Sequence, residues 1–494
     1  GEGVDRRGDR LPELLVEQTG GVPAVVVGAL EQLTNDGALT TGADTWSFAV
    51  APEDLRVPSD LAELWIARLG ALDPATEQVA RLAAVLGEEW NLDVLDDVVA
   101  AVGPVVGADP TSVRAAIQEL RALGAVVEVG TGLEQFRFAH GVIVAELRAG
   151  LTLEERAGIH DGISHELERR RVGRERRPYE MAHHAVAGCT IGPAVAVPDS
   201  QRRRAGDLAA AAANHAYAVG GFAEAEHWWR WALELVAGDV ATSPYRRGEL
   251  SLAAAEAARR HGAEPTPLLD WVAALARSVH DPVLGAQAVA ARHDPAFDAS
   301  RYTEDERHVL EDAVATLDET DQRRRLLVGH LLAASAAERP PPVVADAFVE
   351  ALSSGAVTGT SESADLLRIA LRSVTALEVL DHRRRFVDDL AAVATSRDDD
   401  RLRFEVEWRR ATLPHQVADR PALDPAVDAA PGHAARLRDS TTWGRWSELE
   451  AVVALLEGRL DTALEGAARV RRYRPGDRRG EVVAASLELS VARW

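Results

Sequence analysis

The sequence predicts a mainly α-helical fold with one small β-hairpin. Three observations carry this. Apolar residues recur every three or four positions over long stretches in which Ala dominates. The clearest strand signal is Ala125–Val129 and Phe136–Phe138, two β-prone runs around Gly130-Thr131-Gly132. A glycine turn followed by an amphipathic helix appears twice in the C-terminal two thirds, at Gly220 and Gly458.

Residues 1–57 carry helical patterns at Leu11–Leu15 and Val25–Leu33, broken at Gly20-Gly21-Val22-Pro23. In residues 58–170, Leu61, Leu64, Trp65 and Leu69 share one helical face. Asp73-Pro74 reads as an N-cap with proline at the first helical position, followed by Val79, Leu82, Ala83 and Leu86 at core spacing. Asp109-Pro110 starts a further helix in the same way, with Val113, Ala116, Ile117, Leu120 and Leu123 as its buried stripe. Gly124 ends it and the hairpin follows, and helices followed by a hairpin is the order of a winged helix, expected over about 58–150. Arg169 to Pro178 reads as a charged connector.

Residues 171–494 show only helical patterns broken by Gly, Pro and Asp turns. Gly220, Phe222, Ala225, Trp229, Ala232 and Leu235 find their counterparts in Gly458, Leu460, Ala463, Ala467 and Val470. In both copies a small residue five positions after the glycine lets a neighbouring helix approach closely. This is the pattern of the second half of a tetratricopeptide repeat, and the copies stand seven 34-residue periods apart, with degenerate repeats between them. A tetratricopeptide-like superhelix is the natural home for so much helix with short breaks.

Composition excludes several chemistries. All 55 basic residues are Arg, so no lysine is available for a phosphate loop, a kinase strand or a Schiff base. Cys189 is the single cysteine, which rules out disulfide frameworks and Cys-based zinc or iron–sulfur sites within one chain and suits a reducing, cytoplasmic setting. The start is not a signal peptide, and no run of about 18 apolar residues is present, so no membrane partner is expected. The net charge of −23 repels polyanions. Between 58 and 148 there are 14 Asp and Glu against six Arg, so this winged helix is expected to pack inside a larger protein rather than read DNA.

Several segments carry a family resemblance. Thr19-Gly20-Gly21-Val22-Pro23 with Ala29, Leu30 and Leu33 resembles the segment that closes the nucleotide-binding module of STAND-type ATPases. Asp73-Pro74 through Ala83-Ala84-Val85-Leu86-Gly87 is similar to the next family helix. Phe136-Arg137-Phe138-Ala139-His140, followed by Val142, Leu147 and Leu151 to His160, resembles the segment after the hairpin in large ATP-binding regulators of the LuxR, maltose-regulator-like and antibiotic-regulatory-protein types. His183-His184-Ala185, residues 212–235 and Trp446 to Arg459 continue the likeness in order. The Walker motifs of that family have no counterpart here. The resemblance therefore implies the C-terminal part of such a regulator, cut after its ATPase core. The chain itself would hold no cofactor, while the full-length protein would use ATP and ADP. DNA would be reached only through a domain outside this chain.

The resemblance also implies roles for single residues. Gly21 permits a tight turn and Pro23 packs near adenine; read alone, they are an ordinary interhelical break. His140 would donate to a phosphate of bound ADP, the alternative being a hydrogen-bonded histidine at a strand–helix junction. His160, Asp161 and His165 are poorly spaced for a metal, and His183 and His184 point in different directions on a helix. Trp228, Trp229 and Trp231 spread around one helix, so at least one faces a groove or interface unless all pack between repeats. Asn214 and Tyr217 on the preceding helix are expected to line the inner groove, where together with Trp228 they would meet a partner. The arginine runs at 169–171, 176–177, 202–204, 323–325 and 383–385 read as solvated faces.

The function expected is the regulatory and sensor arm of an ATP-dependent transcriptional regulator. It would bind a protein or small-molecule inducer, work with an upstream nucleotide-binding module and be open to homo-oligomerisation. No catalytic residue or metal is expected in this chain. The rival readings are a scaffold without a switch and the regulatory arm of a signalling enzyme such as a nucleotide cyclase.

Overall fold

The computed structural model describes residues 12, 15–16, 23–35, 37–41, 46–48, 61–130, 134–170, 178–239, 241–293, 302–353, 361–416, 420–437, 440–473 and 478–493. The chain is mainly helical and divides into two compact units, residues 1–257 and 258–494.

The first unit opens with α1 (Pro23–Asn35), which buries Ala29 and Leu33 with Leu15 and Leu39. Strands β1 (Leu39–Thr41) and β2 (Trp46–Phe48) pair antiparallel, Leu39 opposite Phe48. This hairpin is absent from the sequence reading, because three-residue strands are too short to show alternation. Helix α2 (Leu61–Leu69) buries Leu64, Trp65 and Leu69, and its Arg68 pairs with Glu31 of α1 at 2.7 Å.

Next come α3 (Pro74–Leu86), β3 (Glu89–Asn91), α4 (Leu92–Val106), α5 (Val113–Ala122), β4 (Val126–Glu128) and β5 (Gln135–Phe138). The caps explain the helix starts. Asp73 accepts the Ala75 N–H at 3.0 Å, and Asp109 accepts the Thr111 N–H at 2.9 Å. The hairpin falls at β4–β5 as its sequence suggests, but β5 is the centre of a three-stranded antiparallel sheet in the order β3-β5-β4. The extra strand enters because Trp90 pairs with Phe136 and stacks on its ring, 5.3 Å between centroids. Val79, Leu82, Leu95, Val98, Leu120 and Ile143 centre the core of this part.

Helices α6 (Gly141–Ala149) and α7 (Leu153–Arg169) follow, the second opened by a capping box between Thr152 and Glu155. Then α8 (Pro178–Thr190), α9 (Asp199–Ala218) and α10 (Phe222–Val236) stack in succession. The turn between α9 and α10 is made by Gly220 at φ +84°, and Gly458 turns the chain at φ +73° in the second unit. Both lie in the left-handed region, which only glycine enters without strain. Ala225 and Ala463, five residues on, are fully buried. Helix α11 (Pro244–His261) contains the boundary between the units.

Among the described residues, every regular element of the second unit is a helix. In order it contains α12 (Thr266–Val279), α13 (Pro282–Arg292), α14 (Glu304–Thr316), α15 (Gln322–Ser335), α16 (Pro341–Ser353), α17 (Ser361–Ser373) and α18 (Leu380–Ser396). It closes with α19 (Asp400–Gln416), α20 (Arg420–Leu437), α21 (Ser440–Leu456), α22 (Leu460–Tyr473) and α23 (Arg478–Arg493). Helices packed on their sequence neighbours bury Phe348, Leu366, Ile369, Phe386 and Leu390. Among the described residues no helix is long and apolar enough to cross a membrane.

Candidate functional site

The first unit holds an open cleft of about 520 Å³. One side comes from the sheet and the elements around it. Leu86 and Gly87 end α3, Glu89, Trp90 and Asn91 form β3, Val94 lies on α4 and Gln135 starts β5. The other side comes from the helices that follow, with Leu167 of α7, Tyr179, Glu180, His183 and His184 of α8, and Trp228 of α10.

The aromatic residues are held by their neighbours. Trp90 is 4% exposed, fixed face-on by Phe136 and edge-on by Phe138 at 6.1 Å. Tyr179 stands T-shaped on His215 at 5.4 Å and nearly parallel to Trp228, 6.5 Å between centroids. The indole Nε1 atoms of Trp90 and Trp228 are both buried without a hydrogen-bond partner. An unpaired buried donor is costly.

Among the described residues the charged groups that line the cleft are Glu89 and Glu180, both exposed. Burial, and then the charge of Glu224, pushes the Tyr179 phenol up, so its hydroxyl stays neutral. Beneath the cleft, His160 and His184 are both driven down to about 3, first by burial and then by neighbouring histidines. His184 is buried while His183 faces the opening, so the adjacent pair does diverge on the helix.

The residues singled out in the sequence fall in different places. Gly21 lies outside the described residues. Pro23 is exposed at the first position of α1. His140 is exposed at the N-cap of α6, where its side chain makes no capping bond and its ring lies 6.0 Å from Trp65. Helix α2 links the two neighbourhoods, since Arg68 reaches α1 and Trp65 faces His140. Asn214 is exposed on α9. Tyr217 is half-buried, packs on Phe222 and Trp229, and donates to Glu256 at 3.2 Å. Of the residues singled out in the sequence, Trp228, His183 and His184 line the cleft. Trp229 is buried between helices, and Trp231 donates its Nε1 hydrogen to His227 at 3.1 Å. Among the described residues no group of three His, Cys, Asp or Glu is arranged to hold a metal.

Sequence reasoning missed Trp90, Tyr179, Glu89 and Glu180. Their signal was faint: a lone Trp in a three-residue strand, and a Tyr-Glu pair just after the charged connector.

No family model matches the chain. No curated protein matches it either. Among solved structures it is similar to a signal transduction ATPase with numerous domains that carries a tetratricopeptide repeat sensor, from Pyrococcus horikoshii. The identity is 10% and the TM-score 0.35, over 97% of this chain and 69% of that one.

Proposed function

We propose that the chain is the regulatory and sensor arm of an ATP-dependent signal-transduction regulator of transcription. In this reading residues 58–170 are a winged-helix domain, which the order helix, strand, two helices and two strands over 74–138 supports. The helices from α8 onward are a tetratricopeptide-like array, supported by the matching glycine turns at Gly220 and Gly458.

The observation that carries the reading is the cleft. Its two sides come from the sheet-bearing part and from the first helices of the array. An inducer seated there touches Trp90 on one side and Tyr179 and Trp228 on the other, so its binding energy favours one arrangement of the two parts. That preference would pass through the winged helix to the upstream nucleotide-binding module. Without lysine the chain supplies no standard phosphate clamp, so ATP turnover belongs to that module.

The test is nucleotide release from the full-length protein. The wild type is expected to retain ADP and to release it faster with inducer, and Trp90→Ala or Trp228→Ala to uncouple inducer from release. A full-length protein that holds no nucleotide, or whose release ignores both substitutions, would favour the scaffold.

A further inference from the structure

We propose that the cleft in the first unit binds a small molecule built on a flat aromatic ring system, stacked against Tyr179 and Trp228. This deepens the sensor reading and rests on it for its regulatory meaning, though not for the binding itself.

Two half-buried rings from different helices line the cleft together, Tyr179 on α8 and Trp228 on α10. Their planes lie 29° from parallel, with 6.5 Å between centroids. Each is braced by a histidine: Tyr179 stands T-shaped on His215 at 5.4 Å, and His227 meets Trp228 edge to face at 5.9 Å. The pair is therefore set before any ligand arrives, and both residues keep surface open to water. Covering such apolar surface is favourable, and aromatic rings gain further by packing on another ring. A flat ring system can lie along both planes at once, because the two share nearly one direction. A puckered saturated ring meets flat faces with gaps, and a gap forfeits the contact.

The rest of the lining fits the same class. Leu86, Val94 and Leu167 add apolar surface. Trp90 closes the sheet side, but it is only 4% exposed and Phe136 stacks on its ring. The ring surface open to a ligand therefore comes mainly from Tyr179 and Trp228. A polar group on the ligand can stay at the mouth, where His183 is exposed. The cleft volume of about 520 Å³ suits a small molecule of a few fused rings rather than a folded domain.

Naphthalene carboxamide and its fully saturated decalin counterpart are suitable probes. They carry the same amide, and the decalin compound is the bulkier and the more hydrophobic, so apolar burial alone would favour it. Both are neutral, so the carboxylates of Glu89 and Glu180 do not separate them. Binding to the full chain would be followed by equilibrium dialysis. The naphthalene compound is expected to bind saturably, and the decalin compound about tenfold or more weaker. Trp228→Leu keeps apolar bulk and removes the ring. It should weaken the naphthalene compound about fivefold or more and change the decalin compound by less than about twofold. Trp271, 44% exposed on α12, controls for adhesion to any open indole, and Trp271→Leu should leave both ligands unchanged. Far-ultraviolet circular dichroism would establish that each variant is folded.

Equal or tighter binding of the decalin compound, no saturable binding of the naphthalene compound, or its indifference to Trp228→Leu would overturn the proposal. So would a loss from Trp271→Leu as large as that from Trp228→Leu. The sensor reading fails separately. Naphthalene binding that leaves nucleotide release from the full-length protein unchanged sinks the sensor and keeps the site. A saturated ligand that binds the cleft as tightly as the flat one and still changes release sinks the flat-ring class and keeps the sensor.

Discussion

His160 Nδ1 lies 2.9 Å from His184 Nδ1 and joins α7 to α8 beneath the cleft. One ring donates the hydrogen between these two atoms and the other accepts it, so at least one of the two must be neutral. Burial drives both down to about 3, well below the ordinary 6.5.

The first prediction follows from that linkage. Between about pH 6.5 and 3 the folded state binds fewer protons at these rings than the unfolded chain does. Stability is therefore lost as pH falls through this window, by about 1.4 kcal/mol per pH unit for each ring at most. Hydrogen exchange, corrected for intrinsic rates, should show α7 and α8 losing protection between pH 7 and 5. The substitution His160→Leu should make that loss shallower. Protection that is flat over this range would refute the paired neutral rings.

Much of the helical framework was legible because caps and stripes are local signals. Asp73 and Asp109 announce helix starts, and Val113, Ala116, Ile117 and Leu120 are buried as their spacing requires. Strand β3 was not legible. Its three residues carry no period, and it forms because the Phe136 ring offers Trp90 a surface, which is a tertiary cause. The cleft was visible at Trp228 and, as an adjacent pair without an assigned role, at His183 and His184. Three tryptophans within four positions cannot all face one helix stripe, which singled out the Trp228–Trp231 cluster. Nothing local tells that Tyr179 and Trp90, drawn from distant segments, meet it.

Trp229 and Trp228 give a second prediction, because neighbours in sequence differ in burial. Trp229 is 6% exposed between α9 and α10, whereas Trp228 is half-buried in the cleft wall. Trp229→Ala should cost about 3–5 kcal/mol as a buried cavity. Trp228→Ala should cost about 1–2 kcal/mol, since less of its surface leaves water. Local hydrogen-exchange opening energies in α9 and α10 would measure both. A greater loss from Trp228→Ala than from Trp229→Ala would contradict these positions.

The second unit contains a buried ion pair that yields a third prediction. Arg368 Nε donates to Glu405 at 2.8 Å, with side chains only 7% and 3% exposed. Burial alone would raise the Glu405 carboxyl, but Arg368, Arg409 and Arg445 hold it at about 2. Glu405→Gln leaves Arg368 buried without this counter-charge, at about 3–5 kcal/mol. The double variant Arg368→Met with Glu405→Leu should recover most of that loss. In the wild type this contribution is present above the ordinary pKa of 4.5 and disappears as pH falls toward 2. Denaturant midpoints of the single and double variants at pH 7 would decide it, and an additive double variant would show that the pair is not coupled.

The fourth prediction separates structure from switching at His140. Its side chain is exposed, makes no capping bond at the start of α6, and touches the rest of the fold through the Trp65 ring. His140→Ala should therefore change stability by no more than about 0.5 kcal/mol. If it donates to a phosphate in the full-length protein, the same substitution removes a charge-assisted hydrogen bond of about 1.5–3 kcal/mol. ADP release would then accelerate between about 10-fold and 150-fold, and basal output would rise. The stability measurement on the chain and the release measurement on the full-length protein are independent. Faster release with unchanged stability assigns His140 to the nucleotide. Unchanged release together with a loss above 1 kcal/mol would instead make the contact with Trp65 its whole role, with the ring pinning α6 against α2.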